Sequence, residues 1–289
     1  MAAALRTGPE LIGCPRHAWP RVAHVHLCAA ALTTNVAIKV GHEGILASYD
    51  PGVIPAIVLA AGKSSRMGRL KPNLPVSQAT PRNPGNPEKH DTFLTRIVRT
   101  LGDAGIDDVV IVVGHEMEAV LGSFVESGLS ARFVENADYE SGQLSSLLAG
   151  LRVVDRPGVV ATLVALVDAP FVSSATVRAV IERYHQTHAL IVRPTRGGRH
   201  GHPLLVDRAL FDRLRHADPG EGAKPVVRAH ATPDGEVEVD DEGAFCDIDT
   251  PEEYERALSV FGRAARVGSR HLLASRNTHQ PFSIEWTER

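Results

Sequence analysis

The apolar residues of the chain fall into short runs that longer mixed stretches separate. Residues 54–60 (IPAIVLA) form the first run and residues 109–113 (VVIVV) the second. Residues 132–134 lie in a weaker third run, and residues 158–167 contain a fourth. Continuous apolar runs of this length are typical of strands that are buried on both faces. The pattern therefore predicts four central strands in a layered fold.

Helical spacing dominates the stretches between and after these runs. Over residues 91–104, Phe93, Ile97 and Leu101 recur on one side of a helix, and Asp91 is the expected N-cap. Similar patterns predict helices near residues 116–126, 143–152, 174–188, 206–215 and 251–262. Strands that alternate with helices indicate an α/β fold with a mainly parallel sheet.

The pattern changes toward the end of this region and in the two flanks. We expect antiparallel strands along one edge of the sheet, at residues 190–193, 203–206 and 236–246. Regular patterning covers residues 53–263, which we interpret as one domain. Residues 1–52 have no sustained period and are expected to be a poorly structured extension. Residues 264–289 form a tail, either a docking strand or a disordered segment.

Composition and charge exclude several classes of protein. The 289 residues contain 31 Lys and Arg against 34 Asp and Glu, a formal net charge of −3 without a run of five basic residues. That balance argues against nucleic acid or a membrane surface as a partner. The three cysteines are too few for a disulfide scaffold, and no segment reaches the roughly 18 apolar residues of a membrane span. We therefore expect a cytoplasmic protein.

The most informative motif begins where the first predicted strand ends and reads LAAGKSSRMG over residues 59–68. Small residues and glycine let the backbone approach a ligand and turn its N–H groups toward phosphate oxygens. Arg66 adds a planar guanidinium and Lys71 a compact positive charge. The glycine spacing by itself is more typical of a simple strand-to-helix turn, and it matches neither the Walker nor the dinucleotide pattern.

Aspartates follow two later segments of the chain. Asp168 ends an apolar run and is expected at the carboxyl edge of the sheet, where open α/β folds bind ligands and a carboxylate needs a partner. Asp247 and Asp249 are expected to share one face of a short strand. With Asp168 they would form an oxygen-rich Mg²⁺ site, with Asp247 as the first choice and Asp249 as the second. Thr250 and Glu253 predict a capping box directly after them.

Two more motifs contain candidate binding residues. Residues 136–147 (NADYESGQLSSL) open a predicted helix, where Gly142 and Ser145 could cap the helix, bind a base or ribose, or do both. Residues 199–203 (RHGHP) contain two histidines, which are weak evidence for a metal. Arginines shortly before them suit a phosphorylated ligand or a solvated loop, and Lys224 could reach the same pocket.

Together, the motifs resemble those of nucleotidyltransferases that activate molybdopterin, the molybdenum cofactor cytidylyltransferases and guanylyltransferases. The LAAGxSxRMG string followed by Lys71 resembles their nucleotide-binding signature, and further motifs follow in the family order through about residue 260. The resemblance implies a Rossmann-like, doubly wound sheet with helices on both faces, of the nucleotide-diphospho-sugar transferase type. It implies that Arg66, Lys71 and Asp168 are catalytic.

The resemblance also assigns binding roles. The residues implied to bind the nucleotide are Leu59, Ala60, Ala61, Gly62, Ser64, Arg66, Gly68, Lys71, Gly142 and Ser145. The implied metal ligands for Mg²⁺ are Asp168, Asp247 and Asp249. Gly201, His202 and Pro203 are placed near the acceptor.

The function implied is Mg²⁺-dependent transfer of a nucleotide, CMP from CTP, to a phosphorylated acceptor such as molybdopterin, with release of pyrophosphate. A molybdoenzyme is a further candidate partner. Two alternatives are transfer to a sugar phosphate or another small phosphorylated alcohol, and a non-catalytic chaperone that binds nucleotide or pterin. Residues 75–90 are polar and proline-rich where the family has a short apolar loop, which leaves open a different acceptor.

Overall fold

The computed structural model describes residues 52–77 and 91–262, and the backbone of two short strands outside them. The strands are β1 (Val22–Val25), β2 (Ala56–Leu59), β3 (Val109–Val113), β4 (Ala131–Glu135), β5 (Ala161–Leu166), β6 (Ile191–Arg196), β7 (Arg199–His200), β8 (Leu204–Asp207), β9 (Glu236–Glu238) and β10 (Glu285–Thr287). The α-helices are α1 (Phe93–Asp103), α2 (Met117–Val125), α3 (Gln143–Val154), α4 (Ser174–Thr187), α5 (Phe211–Arg215), α6 (Lys224–His230) and α7 (Pro251–Phe261). None of these described helices is long and apolar enough to cross a bilayer.

The strands form a single sheet in the order β10-β1-β4-β3-β2-β5-β8-β6-β7, and β9 pairs with β6. Strands β4, β3, β2 and β5 are mutually parallel, so their carboxyl ends meet at one edge. The four predicted strands are thus confirmed as the centre of the sheet. Open parallel sheets bind ligands at this edge.

Helices cover both faces of the sheet. Along β2, Ala56 and Val58 pack into a cluster with α1, α2, α4 and α7. Ile57 and Leu59 point the other way, into a cluster with α3 and α5. Alternate side chains of a strand face opposite sides, so a strand in this position is apolar throughout. The doubly wound α/β prediction is confirmed.

Two local predictions about helices are wrong. The helix predicted over residues 206–215 begins later, because Val206 pairs with Thr162 in the sheet and only Phe211–Arg215 is α-helical. The N-cap of α1 is Thr92, whose side chain accepts a hydrogen bond from the Thr95 N–H. Asp91, the predicted cap, forms an ion pair with Arg99 instead.

The predicted antiparallel additions are confirmed in two of three places. Strand β8 runs antiparallel to both β5 and β6 and lies between them. Strand β9 runs parallel to β6, so the antiparallel prediction for residues 236–246 is wrong there. The chain passes through α5 and α6 between β8 and β9, and this long connection returns it in the direction of β6.

The predictions for the chain flanks fall mostly outside the described residues. Within residues 1–52, the structure describes Gly52 and β1, which pairs antiparallel with β4. Within residues 264–289 it describes β10, which pairs antiparallel with β1. Residues 78–90, most of the proline-rich insertion, also lie outside the described part.

Close backbone approaches join the segments that follow the central strands. A Cβ atom on Gly243 would lie 2.1 Å from the carbonyl oxygen of Phe171, just beyond Asp168. A Cβ on Gly201 would lie 2.3 Å from the carbonyl oxygen of Ala244. These glycines let the segments that precede Asp247 and His202 pack directly onto the end of the sheet.

We expect Gly243→Ala to destabilise the fold, because its methyl group would collide with backbone that cannot move aside. Overpacking of this kind costs about 1–3 kcal/mol. The free energy of unfolding, measured by urea denaturation, should fall by that amount. The matched control is Gly102→Ala in α1, where a Cβ meets no atom within 4 Å and the change should be neutral or stabilising. Equal stability of Gly243→Ala and Gly102→Ala would contradict the close approach of Gly243 to the Phe171 backbone.

Candidate active site

The loop after β2 is a compact, anchored turn. The carbonyl oxygen of Ser64 accepts hydrogen bonds from the N–H groups of Met67 (3.0 Å) and Gly68 (3.1 Å). Ser64 itself has a φ of 53°, in the left-handed region that few residues other than glycine adopt. Met67 is 4% exposed and fixes the loop to the core. A Cβ on Gly62 would meet nothing within 4 Å, so this stretch of backbone faces open space.

A buried lysine lies directly behind this loop. The N–H of Lys71 donates to the Ser64 hydroxyl oxygen at 3.2 Å. Its Nζ lies 2.5 Å from Oδ1 of Asp249 and 3.4 Å from Oδ2 of Asp168. The side chain is only 9% exposed. A buried ammonium group needs such carboxylates, because leaving its charge unpaired away from water is costly.

Asp249 forms ion pairs with both predicted catalytic cations. Its Oδ1 binds Lys71, and its Oδ2 lies 2.8 Å from a terminal nitrogen of Arg66. The hydrogen bond from Lys71, with a further contribution from Arg66, holds the pKa of the Asp249 carboxyl below its usual range. Arg66 is 70% exposed, so this end of the cluster opens to solvent.

The N-terminus of α7 positions Asp249. The predicted capping box is confirmed: the Thr250 hydroxyl accepts from the Glu253 N–H at 3.3 Å. Glu253 in turn accepts from the N–H groups of Asp249 (2.8 Å) and Thr250 (3.0 Å). These hydrogen bonds therefore fix the backbone position of Asp249 at the start of α7.

Asp247 lies next to Asp168, but not on the short strand that was predicted. Residues 246–249 belong to no strand, because the backbone here pairs with a loop: the Ile248 N–H donates to the Asp168 carbonyl oxygen at 2.9 Å. Partial desolvation, reinforced by the charges of Asp168 and Asp249, raises the pKa of the Asp247 carboxyl. The side chain of Asp247 nevertheless remains open to solvent.

Two neighbours of Asp247 are also affected by burial. Burial lowers the pKa of the His202 imidazole, although the charges of Asp247 and Asp168 oppose the change. His202 is therefore neutral, and its Nδ1 is buried without a hydrogen-bond partner among the described residues. Burial, and then the charge of Asp247, raises the pKa of the Cys246 thiol. Cys246, which is partly buried, is therefore no ready nucleophile.

The carboxylates suit a magnesium ion that also binds a ligand. Among the described residues, no group of three or more histidines, cysteines, aspartates or glutamates is arranged to hold a metal alone. Mg²⁺ commonly uses one or two carboxylates together with phosphate oxygens, so Asp168 and Asp247 are a sufficient protein contribution. Their hard oxygen donors fit this ion.

A pocket of about 220 Å³ lies between the loop after β2 and the start of α3. Seven of the residues predicted to bind nucleotide or metal line it: Leu59, Ala61, Gly62, Ser64, Lys71, Gly142 and Asp168. Ala60 is buried beneath it, and Gly68, with a φ of 67°, shapes the turn without lining the pocket. Arg66 lies outside the lining and reaches the site through Asp249.

Ser145 does not line this pocket. Its hydroxyl donates to the carbonyl oxygens of Asp138 and Gly142, both at 2.8 Å, and accepts from the Asn136 side chain at 2.9 Å. The α3 helix already begins at Gln143, with Gly142 as its N-cap, so Ser145 is neither the cap nor a pocket residue.

Sequence reasoning missed four residues that line the pocket. They are Tyr139, Gln143, Ser146 and Val167. The first three belong to the 136–147 motif, so the motif located the wall of the pocket but not the side chains that form it. Val167 directly precedes Asp168, and that position alone would have been enough to predict that it lines the pocket.

A second pocket, of about 350 Å³, adjoins the first and shares Leu59, Gly142 and Gln143 with it. One part of its lining is aliphatic and comes from α3 and from strands β5 and β8: Leu144, Leu147, Val164, Leu166, Leu204 and Val206. The rest comes from residues 214–227, which include Glu221 and Lys224, and His202 adds a further polar group.

Of the predicted acceptor residues, only His202 lines this second pocket. Gly201 and Pro203 are buried beside it, and Gly201 fits closely against the backbone of Ala244. The nearby arginines are already engaged: Arg193 pairs with Glu236, and Arg196 with Asp240 and Glu242. Lys224 is thus the predicted cation that reaches this pocket.

Adjoining pockets at the carboxyl edge of a doubly wound sheet, with a basic loop and paired carboxylates, define a nucleotide-binding enzyme. The MobA-like NTP transferase domain model matches residues 56–234. The chain therefore belongs to this family and is a nucleotidyltransferase, as the motifs predicted.

Known relatives support this assignment. The bifunctional IPC transferase and DIPP synthase of Rubrobacter xylanophilus is 31% identical over 254 residues, which cover 76% of this chain but only 56% of that protein. The purine catabolism protein PucB of Bacillus subtilis is 26% identical over 212 residues, covering 70% of this chain and 96% of the relative. The match to the first relative thus spans little more than half its length.

Solved structures agree with the fold. Rv0371c of Mycobacterium tuberculosis, crystallised with manganese, has a TM-score of 0.53 and 26% identity, covering 71% of this chain and 97% of that protein. Molybdopterin-guanine dinucleotide biosynthesis protein A of Archaeoglobus fulgidus has a TM-score of 0.51 at 17% identity, covering 73% of this chain and all of that protein, and shows the fold alone. A divalent cation in the first of these is consistent with the carboxylates described here.

The opposite pKa shifts of Asp247 and Asp249 predict opposite effects on stability. The raised pKa of Asp247 means that ionisation disfavours folding, so Asp247→Asn should raise Tm at neutral pH, and its advantage should shrink as pH falls toward the ordinary aspartate range. The lowered pKa of Asp249 means that its charge favours folding, so Asp249→Asn should lower Tm, and this loss should also shrink as pH falls through that range. Solvent screening keeps each change to about 1–3 °C.

Thermal unfolding monitored by circular dichroism from about pH 3 to pH 8 covers the ordinary aspartate range and measures both effects. Asp107→Asn, an exposed aspartate before β3 at the opposite edge of the sheet, is the matched control and should leave Tm unchanged. The same sign for Asp247→Asn and Asp249→Asn would contradict the charge arrangement.

Proposed function

We propose that the chain transfers CMP from CTP to a phosphorylated acceptor, molybdopterin or a close relative, and releases pyrophosphate. The observation that supports this most is the contact between the two pockets, which lie at the same sheet edge as Asp168 and Lys71. Adjacent pockets can hold donor and acceptor together, and such positioning is a large part of catalysis in group transfer.

In this proposal the smaller pocket holds the nucleotide. The open backbone at Gly62 and the start of α3 at Gln143 offer N–H groups to the phosphates and the base. Lys71 and Arg66 neutralise the negative charge that builds on the α-phosphate and the leaving pyrophosphate. A phosphate oxygen of the acceptor attacks the α-phosphorus, the bond to the pyrophosphate oxygen breaks, and pyrophosphate leaves.

Asp168 and Asp247 would hold Mg²⁺, which supplies positive charge at the reacting phosphate when bound. The Ile248 N–H donates to the Asp168 carbonyl oxygen, and this backbone contact, which brings the segments that carry the two carboxylates together, supports the assignment. Lys71 adds positive charge 3.4 Å from Oδ2 of Asp168, on the same side of the site.

The larger pocket favours the proposed acceptor over a polyol phosphate. A sugar ring would leave several hydroxyl groups without partners on the aliphatic side chains of β5, β8 and α3, and unpaired polar groups are costly in such surroundings. A flat heterocycle can pack on this floor beside the His202 ring. Lys224 then lies near enough to the same pocket to attract the acceptor phosphate.

The proposal also covers the domain bounds and the cellular location of the protein. We assign the activity to residues 53–263, with residues 1–52 and 264–289 as flanking segments, and the location to the cytoplasm. CTP as donor rests on the resemblance of the 136–147 motif to that of the cytidylyltransferases. A molybdoenzyme would receive the product.

Asp168→Asn should lower the rate of pyrophosphate release by about 10²–10³-fold, because one charged contact to the reacting phosphate is lost. The assay uses CTP, GTP, ATP and UTP with Mg²⁺, each with and without molybdopterin. Asp107→Asn is the control and should keep the wild-type rate. Near-normal turnover of Asp168→Asn would contradict the assignment of Asp168 as a metal ligand.

The acceptor assignment predicts a selective change for Lys224→Ala. Its KM for the acceptor should rise about tenfold, whereas its KM for CTP should stay the same, because Lys224 lines only the larger pocket. Steady-state kinetics with each substrate varied in turn measure both constants. Release of pyrophosphate with sugar phosphates but not with molybdopterin would instead favour the polyol alternative, and nucleotide binding without any release would favour a carrier.

A further inference from the structure

We propose that Asp249 is a positioning residue that holds Lys71 and Arg66 in the site, and that it is not a metal ligand. The inference rests on the proposed function, since it concerns the same reacting phosphate. Its basis is that the three aspartates of the site, Asp168, Asp247 and Asp249, differ in the cations that they contact.

Both carboxylate oxygens of Asp249 are engaged by cations. Oδ1 lies 2.5 Å from Nζ of Lys71, and Oδ2 lies 2.8 Å from a terminal nitrogen of Arg66. A carboxylate in this state has little capacity left for a metal ion, and a third cation beside these two would be repelled. The contacts thus separate Asp249 from the aspartates that suit Mg²⁺.

The other two aspartates are differently placed. Asp168 has one cationic contact, to Lys71 at 3.4 Å, and lines the nucleotide pocket. Asp247 forms no ion pair with any basic residue in the described part of the chain, whose ion pairs at this site involve Asp168 and Asp249. A bound cation could therefore bind Asp247 without displacing a partner, whereas at Asp249 it would displace Lys71 or Arg66.

Asp249 is also held more rigidly than a flexible counterion would be. Glu253 accepts hydrogen bonds from the N–H groups of Asp249 and Thr250 at the start of α7. Tyr254 and Leu258 anchor that helix in the core. Because the backbone of Asp249 is held in this way, its carboxylate determines the position of any cation that binds it.

This arrangement draws Lys71 closer to Asp249 than to Asp168. The ammonium group lies 0.9 Å closer to Asp249 (2.5 Å) than to Asp168 (3.4 Å). Without the Asp249 charge, Asp168 becomes the nearest carboxylate to Lys71, and the lysine then competes with the metal for it. Arg66, which is mostly exposed, then loses the ion pair that holds it in the site.

A double-mutant cycle of Asp249→Asn and Lys71→Met tests the coupling. We expect each single variant to lower kcat for pyrophosphate release by about 10²-fold, and the double variant to be within about threefold of Lys71→Met alone, because a positioning residue has nothing to position once its lysine is gone. Effects that multiply in the double variant would overturn the inference.

Manganese affinity distinguishes positioning from ligation. In the Lys71→Met background, where the lysine no longer competes, adding Asp249→Asn should change the Kd for Mn²⁺ by less than about twofold, whereas adding Asp247→Asn should weaken it at least tenfold. Titration followed by electron paramagnetic resonance of free Mn²⁺ gives these constants without turnover. A tenfold loss for Asp249→Asn would make Asp249 a ligand and refute the inference.

Failure of the proposed function would look different. If the wild-type protein releases no pyrophosphate with any of the four nucleotides, the transfer reaction is wrong. The cycle is then measured on the Kd for CTP by calorimetry. Non-additive effects of the two substitutions would still support the positioning role of Asp249, and additive effects would refute it. Tm values identify any variant that fails to fold.

Discussion

The site is organised around the buried ammonium group of Lys71. Its side chain is 9% exposed, and such a charge is tolerated only next to negative partners. Those partners are Asp168 at the end of β5 and Asp249 at the start of α7, so one lysine links segments from three distant parts of the chain. The ion pairs therefore fix the relative placement of the loop after β2 and the two acidic segments.

The sheet makes this convergence geometrically simple. Strands β2 and β5 are neighbours and run parallel, so the loop after β2 and Asp168 emerge side by side. The close approach of Gly243 to Phe171 then brings in the third segment, which carries Asp247 and Asp249. The smaller pocket lies between the loop after β2, Asp168 and the start of α3, and the larger pocket adjoins it. Both lie where a doubly wound fold is open to ligands.

The sequence predicted the central strands, the helices on both faces and most of the pocket lining. Its errors have local causes. The start of α5 was misplaced because Val206 has a partner across the sheet, which periodicity does not reveal. The role of Ser145 in binding nucleotide stays a prediction. In the structure its hydroxyl contacts Asn136 and two carbonyl oxygens, and Ser146, one position further on, lines the pocket.

Apolar periodicity, the capping box at Thr250 and the order of the motifs were determined by the sequence itself, because each depends on residues close together in the chain. Only the tertiary structure decided which aspartates pair with Lys71 and Arg66. Lys71 and Asp249 are 178 positions apart, and nothing in either motif indicates that they touch. Ion pairing across that separation depends on distances of a few ångströms, which packing of the sheet, α7 and the glycine contacts sets.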